Sequence, residues 1–329
     1  MVTAKLAEFV ASLHYEDVPS DLLERMRMAL LDGLAIMLGA ADFLRVNGDK
    51  ELAIYLDDTA PSGTSTVVGY GRQTTPMMAA FANGTHCEVL DCQDCNLTAR
   101  IHNGATVTPA VLALAESNGN SGREVLTSML AGFEVGTRLG HAVQPSHWHH
   151  GFQITGTFGT SGAAAAAGRL LNLSREEIAS ALGISGFIMP VSNGDNVFKG
   201  HSAKPLHGGQ PAQCGISSAY LAKSGYQAGP LEGEGPRNHA ALQILSDGNP
   251  DFDAATKGLG ETWATRELAF KPYPIGLLII GPVEIVLDQL GQHQCNYQEV
   301  EAITVRSYHD AKKFTGEKYT TTESNFVDA

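Results

Sequence analysis

The stretch ITGTFGTSGAAAAAGRLL, residues 154–171, decides the fold class, because small and apolar residues dominate it at helical spacing. Its five consecutive alanines, Ala163 through Ala167, have the highest intrinsic helix propensity. Small side chains on all sides let neighbouring helices pack closely, which predicts a helix inside a helical core. The stretches 108–117 and 122–140 have the same character.

Helix signals continue toward the N-terminus. Ser20 offers an N-cap for an apolar helix that we expect to end near Gly39. Another apolar helix is predicted from Pro76 to about Leu90, with proline in its favoured first position. The intervening residues 61–75 read as a short β segment or an extended loop.

The pattern is also helical toward the C-terminus. Ser174, followed three residues later by Glu177, is the signature of a capping box at the start of a helix. Regular strand alternation and solenoid-type repeats are both missing from the first two thirds of the sequence. We therefore predict a mainly α fold with a large all-helical domain over residues 1–267.

Composition changes after Trp263. Residues 271–274, Lys-Pro-Tyr-Pro, predict a hinge, residues 282–291 a helix, and Val300 to Tyr308 a strand with alternating polarity. This indicates a smaller α+β lid domain over residues 268–329. One strand and one helix cannot close a sheet, so we expect this lid to be incomplete in the chain.

Bulk properties exclude several function classes. A formal charge of -13 without a basic stripe argues against nucleic acid as a partner. The N-terminus lacks the apolar core of a signal peptide, and the longest apolar run, Ile275 to Leu290, is too short and interrupted to span a bilayer. Five cysteines, an odd number, suit a reducing compartment. We predict a cytoplasmic protein with no membrane role.

Lys204-Pro-Leu-His207, followed by two glycines, places two basic side chains close together in the chain. Because proline restricts itself and its predecessor, we expect an extended turn ahead of a helix that begins near Ala212. Such a turn would present positive charge to a carboxylate, which makes a small anionic substrate the expected partner. The alternative is an exposed lysine beside a capping histidine.

A second polar interval lies between two apolar helices, over residues 83–105. Asp91 or Asp94 could orient the imidazole of His102 for general acid or base chemistry, and Arg100 could bind a carboxylate. The alternative is an exposed loop whose aspartates cap helices.

Metal, redox and nucleotide motifs are weak or missing. Cys92 and Cys95 form a single C-x-x-C, which lacks the further ligands of a zinc site and the βαβ context of a redox pair. The histidines between 141 and 150 show no metalloprotease spacing, and no phosphate-binding or serine-hydrolase motif occurs. We therefore expect no metal ligands.

Taken together and in order, four segments resemble the MmgE/PrpD family. They are His102-Asn-Gly-Ala105 with the helix 109–116, the lead GFQITGTFG at 151–159 into the alanine-rich helix, Lys204-Pro-Leu-His207, and Lys271-Pro-Tyr-Pro274. The family includes 2-methylcitrate dehydratase, cis-aconitate decarboxylase and iminodisuccinate epimerase. The resemblance implies a large helical domain, a smaller α+β lid, a homodimer, and no required metal or organic cofactor.

The resemblance also implies a chemistry. Family activities form or quench negative charge on carbon next to a carboxylate, which needs a proton carrier and cations. We expect a lyase or isomerase acting on a small polycarboxylate, similar to 2-methylcitrate dehydratase. His102 would be the acid or base, Asp91 would set its tautomer, and Lys204 would clamp a carboxylate or donate a proton. The expected substrate-binding residues are Arg100, Gln153, His207 and Tyr273.

Three departures from the family pattern keep other functions open. Gln93 stands where an acid is common, Gln153 where a histidine is common, and residues 275–282 lack a histidine. An epimerase or decarboxylase of the same fold therefore remains an alternative. So does a catalytically silent family member with a binding or structural role. The family chain also continues beyond the lid to return to the helical domain.

Overall fold

The computed structural model describes residues 1–198, 200–235, 239–294 and 296–307. Within these ranges the protein is mainly helical, as predicted, and no helix combines the length and apolar character needed to cross a bilayer. The α-helices are α1 Val2–Ser12, α2 Ser20–Asn47, α3 Glu51–Thr59, α4 Pro76–Val89, α5 Asn103–Asn118, α6 Gly122–Val143, α7 Ser146–His149, α8 Phe158–Leu170, α9 Arg175–Ile188, α10 Gly194–Phe198, α11 Leu206–Lys223, α12 Ala241–Ile244, α13 Phe252–Thr256 and α14 Leu277–His293.

The alanine-rich helix α8 lies at the centre of the core. Ala163 through Ala167 are completely buried, and α8 packs against α5, α6, α9 and α11. Its small side chains allow neighbours to approach on several sides, because none of them fills the space between helix axes. The prediction of a buried helix at residues 154–171 is confirmed, with the helix beginning at Phe158.

Glycines set how closely these helices approach. A Cβ added to Gly132 of α6 would lie 2.6 Å from the carbonyl oxygen of Gly162 in α8. One added to Gly215 of α11 would lie 2.4 Å from the Cβ of Ala163. Real Cβ atoms do not tolerate such distances, so the crossings of α6 and α11 over α8 depend on these glycines.

Helices α4 and α11 cross in the same way, and this crossing matters for the site described below. A Cβ on Gly208 would lie 2.4 Å from the carbonyl oxygen of Gly84 and 2.8 Å from the Cγ of Glu88. One on Gly209 would lie 2.3 Å from the carbonyl oxygen of Phe81. The two glycines after His207 therefore bring the start of α11 onto the C-terminal half of α4.

Helix ends follow local sequence signals in part. The capping box of Ser174 and Glu177 is present at the start of α9. The predicted end of α2 at Gly39 is wrong, because the helix continues to Asn47 and ends at Gly48, whose φ of 76° is left-handed. Gly39 lies inside the helix and faces Leu90, so packing overrides its lower helix propensity.

Short antiparallel strand pairs complete the helical part. Strands β1 Ser65–Val67 and β2 Arg72–Thr74 pair as a hairpin, which confirms the β segment expected between 61 and 75. Strands β3 Cys95–Asn96 and β4 Leu268–Ala269 pair with Cys95 opposite Ala269. This second pair joins the polar interval after α4 to the segment that begins at residue 268.

A buried ion pair in α6 anchors the chain ahead of β4. Arg138 Nε donates to Glu134 Oε1 at 2.6 Å, and Arg138 also donates to the carbonyl oxygens of Lys257 and Thr262. The Glu134 carboxylate accepts from the backbone nitrogens of Ala264 and Thr265. Because each buried charge is satisfied by the segment 257–265, that segment is fixed against the core.

The region after β4 differs from its prediction. Helix α14 begins at Leu277, earlier than the predicted residue 282, and contains Pro282. The strand predicted over Val300 to Tyr308 is wrong for residues 300–307, which are exposed and have no paired neighbour in the part described; Tyr308 lies outside it. Alternating polarity alone does not make a strand without a ladder partner. The boundary at 267/268 and the incomplete lid stay predictions.

We expect Gly132→Ala to lower the free energy of unfolding by about 1–3 kcal/mol, because overpacking at the α6 and α8 crossing forces the backbone to shift. Gly122→Ala is the matched control on the same helix, since a Cβ there meets no atom within 4 Å. Urea denaturation of both variants measures the difference. Equal stability of Gly132→Ala and the wild type would contradict the close-packing account.

Candidate active site

Lys204 is a buried ammonium group with a full set of acceptors. Its Nζ donates to Glu88 Oε2 at 2.7 Å, to the carbonyl oxygen of Glu88 at 3.1 Å and to Asp91 Oδ1 at 3.1 Å. A lysine has three N–H bonds, so these contacts use all of them. The alternative of an exposed loop lysine is wrong, because only 5% of Lys204 is accessible.

The backbone around Lys204 differs from the predicted extended turn. Pro205 has helical angles, φ -59° and ψ -23°, and α11 begins at Leu206 instead of near Ala212. Proline is well tolerated at the start of a helix, where its missing N–H would have no partner. His207 therefore lies in the first turn of α11, beside the C-terminal half of α4.

Asp91 and Lys271 form the second half of this network. Lys271 Nζ donates to the carbonyl oxygen of Asp91 at 2.7 Å and to Asp91 Oδ1 at 3.2 Å. Lys271 follows β4, and the pairing of β4 with β3 brings it to Asp91 from 180 residues away in sequence. Residues 271–274 were predicted to form a hinge, and Lys271 was not predicted as a site residue.

Glu88 is a further site residue that the sequence analysis missed. It lies on the buried side of α4, and its Oε2 is 2.7 Å from each of Lys204 Nζ, His207 Nε2 and Gln93 Nε2. Its other oxygen, Oε1, is buried without a hydrogen-bond partner in the described structure. The available signal was that Glu88 is the single acid in a helix of mostly apolar and small residues.

Gln93 contacts both carboxylates of the network. Its Nε2 donates to Glu88 Oε2 at 2.7 Å and lies 3.4 Å from Asp91 Oδ1. An amide at this position supplies hydrogen-bond donors where an acid would add a third negative charge. The departure from the family pattern at Gln93 therefore fits the crowded carboxylates beside it.

His102 has a defined tautomer. Its Nδ1 lies 2.6 Å from the carbonyl oxygen of Asp94, which can only accept, so Nδ1 carries the proton and Nε2 the lone pair. The predicted role of Asp91 in setting this tautomer is wrong, because the Asp91 carboxylate is bound to the two lysines. The His102 and His207 rings are 6.5 Å apart between centroids, which places His102 beside the network.

Asp94 supports the backbone around His102. Its Oδ1 accepts from the backbone nitrogen of Gly104 at 2.8 Å, and a Cβ on Gly104 would lie 2.4 Å from that oxygen. Burial, together with the nearby charge of Asp32, raises the pKa of the Asp94 carboxyl well above its usual value. Asp94 is therefore protonated over a wider pH range than an ordinary aspartic acid.

The pKa shifts of the site keep Asp91, Glu88 and Lys204 charged at pH 7 and keep His102 neutral. Burial disfavours ionised Asp91, but Lys204 and Lys271 outweigh it and lower its pKa to about 2. Burial likewise opposes charge on Glu88 and Lys204, yet His207 and Lys204 hold the pKa of Glu88 well below its usual value, and Asp91 and Glu88 raise that of Lys204. Burial lowers the pKa of His102 to about 4, so its imidazole is neutral at pH 7.

The other predicted substrate-binding residues make contacts of different kinds. The guanidinium of Arg100 packs over the Trp148 ring at 4.4 Å from its centroid. The Gln153 backbone nitrogen donates to the Ser192 carbonyl oxygen, and its side-chain Nε2 is buried without a described partner. Tyr273 is half-buried in the segment that passes Asp91, where a Cβ on Gly276 would lie 3.8 Å from Asp91 Oδ2.

The described residues include free thiols and side chains of the types that bind metals. No three His, Cys, Asp or Glu side chains of that set group as a metal site. Cys92 and Cys95 are free thiols. Burial raises the pKa of Cys95 to about 11, which keeps it protonated and poorly nucleophilic at pH 7.

Comparisons with known proteins match most of the chain. A family model described as the MmgE/PrpD N-terminal domain matches residues 4–250. The cis-aconitate decarboxylase-like protein oryM of Aspergillus oryzae is 30% identical over 336 residues, covering 95% of this chain and 65% of its own length. Cis-aconitate decarboxylases of Aspergillus terreus and Homo sapiens are 28% and 32% identical, covering 94% and 69% of this chain. The chain spans 64% and 47% of those two relatives.

We expect Asp91→Asn to destabilise the fold by about 3 kcal/mol at pH 7, because removal of one partner leaves buried lysine charge uncompensated. The pKa of Asp91 falls from 3.8 to about 2 on folding, so its stabilisation is complete above pH 3.8 and is lost as the pH falls toward 2. The stability gap between variant and wild type should therefore narrow below pH 4.

Urea denaturation at pH 7, 4 and 3 measures this gap. Asp58→Asn is the control, because Asp58 is exposed on α3 and its removal should leave the stability unchanged at each pH. A gap for Asp91→Asn that stays constant down to pH 3 would contradict the ion-pair assignment.

Proposed function

Because the chain belongs to the MmgE/PrpD family, we propose that it is a lyase or isomerase that transfers a proton at the carbon next to a carboxylate of a small polycarboxylate. The observation that carries the proposal is the neutral imidazole of His102, held by the Asp94 carbonyl oxygen beside a network of two buried lysines. A neutral base next to fixed positive charge is what removal of such a proton requires.

His102 is the residue that transfers the proton in this proposal. Its Nε2 accepts the proton from the substrate carbon, and the electron pair of the broken C–H bond moves toward the neighbouring carboxylate. In an elimination, the pair then forms a double bond as the hydroxyl leaves, and the hydroxyl takes the proton held by His102 and departs as water. In an epimerisation, the carbon takes a proton from water on its other face, and His102 returns its proton to the solvent. The N–H of Lys271 that has no described acceptor stabilises the negative charge that develops in both cases.

Lys271 is better placed than Lys204 to bind the substrate carboxylate. All three N–H bonds of Lys204 have acceptors, and its raised pKa makes it a poor proton donor. Lys271 has two described acceptors, both on Asp91, which leaves one N–H within the described contacts. We therefore assign a carboxylate contact to Lys271 and an electrostatic role to Lys204.

Decarboxylation is the second candidate, because the relatives reported above are named as cis-aconitate decarboxylases. In that reaction a C–C bond breaks, carbon dioxide leaves, and the electron pair left on the carbon takes a proton from solvent. The homodimer and the cytoplasmic location implied by the family resemblance remain predictions beside both candidates.

Incubation of the protein with citrate, 2-methylcitrate, cis-aconitate and aspartate-derived acids in heavy water tests the proposal. We expect deuterium to enter one recovered acid or product, and His102→Gln to slow this by at least about a hundredfold, the usual contribution of a general acid or base. Mass spectrometry follows deuterium, and parallel assays of water loss and carbon dioxide release identify the reaction.

His149→Gln is the matched control, because His149 is exposed and outside the network. Its exchange rate should equal that of the wild type. Folded protein that neither exchanges deuterium with any acid nor shifts its melting temperature on adding one would overturn the enzyme assignment and favour a silent family member.

A further inference from the structure

Charges in the network around Lys204 cancel before any substrate is present. Two buried lysines, Lys204 and Lys271, face two ionised carboxylates, Glu88 and Asp91. His102 is neutral, and burial raises the pKa of the neighbouring Asp94 carboxyl well above its usual value. The described network therefore offers an incoming anion no surplus cation, although its family resemblance implies an acidic substrate.

Glu88 is the residue responsible for half of this cancellation. Its Oε2 lies 2.7 Å from both Lys204 Nζ and His207 Nε2, so one carboxylate oxygen engages both basic groups of the Lys204-Pro-Leu-His207 segment. The Glu88 carbonyl oxygen takes another N–H of Lys204. Glu88 is completely buried, so solvent does not screen its charge.

We propose that Glu88 determines the substrate class of this site, which selects a dicarboxylate over a tricarboxylate because Glu88 and Asp91 have already neutralised Lys204 and Lys271. The inference rests on the function proposed above and narrows it. Lys271 has an N–H left for a carboxylate, whereas Lys204 must give up a contact with Glu88 or Asp91 to bind another. A third substrate carboxylate would enter beside two buried carboxylates without a lysine of its own.

Matched pairs of acids test the selectivity of the wild-type protein directly. Citraconate and cis-aconitate share a carbon framework except that a methyl group in the first is a carboxymethyl group in the second. Citramalate and citrate differ in the same way. Isothermal titration at one ionic strength should give a dissociation constant at least about tenfold lower for the dicarboxylate of each pair, since close like charges repel strongly at buried sites.

Glu88→Gln and Glu88→Asp test the residue. The glutamine removes one negative charge at nearly constant volume, so it should move the dicarboxylate-to-tricarboxylate affinity ratio toward the tricarboxylate by about tenfold. The aspartate keeps the charge and should keep the wild-type preference. Glu116→Gln is the control with the same change in net charge, because Glu116 is an exposed residue bonded to Thr66.

The outcomes separate this inference from the proposed function. Tighter binding of cis-aconitate and citrate by the wild type would overturn the inference alone, as would an unchanged ratio in folded Glu88→Gln. Absence of binding and of proton exchange with every acid would overturn the proposed function and the inference with it. If Glu88→Gln does not fold, the inference is still tested by the dicarboxylate and tricarboxylate affinities of the wild type and of Glu88→Asp.

Discussion

A buried ammonium group needs an acceptor for each of its N–H bonds, and this requirement organises the site. Lys204 meets it with two oxygens of Glu88 and one of Asp91, which fixes α4, the loop after α4 and the start of α11 relative to one another. The contact is possible only because Gly84 and Gly208 let α4 and α11 approach closely. Helix packing and electrostatics therefore depend on each other here, since wider spacing would leave the charges unpaired.

Much of the helical part was predictable, because its signals are local. The alanine run at 163–167, the capping box at Ser174 and the small-residue stretches each determine structure through their immediate neighbours. The prediction at Gly39 was wrong because packing against Leu90 outweighs propensity. The strand over 300–307 was wrong because a strand requires a partner, which no local pattern supplies.

The cation Lys204 and the polar loop of the site were predictable from the sequence. The ion pairs that join the site residues were less predictable. Lys204, Asp91 and His102 were identified from two polar stretches of the sequence, and all three lie in or beside one network. Glu88 was missed because it lies in an apolar helix, where burial of an acid is the exception. Lys271 was missed because the pairing of β3 with β4, two residues on each strand, brings it there. Neither the partner of an ion pair nor a tautomer can be read from spacing alone.

The network also has a consequence for the order of folding. Its contacts join residues 116 positions apart between Lys204 and Glu88, and 180 apart between Lys271 and Asp91. Closing such long loops costs chain entropy before any charge is paired, so these contacts form late, after local helices have reduced the remaining search. During synthesis on the ribosome, Glu88 and Asp91 therefore stay without their lysine partners until residues 204 and 271 have emerged.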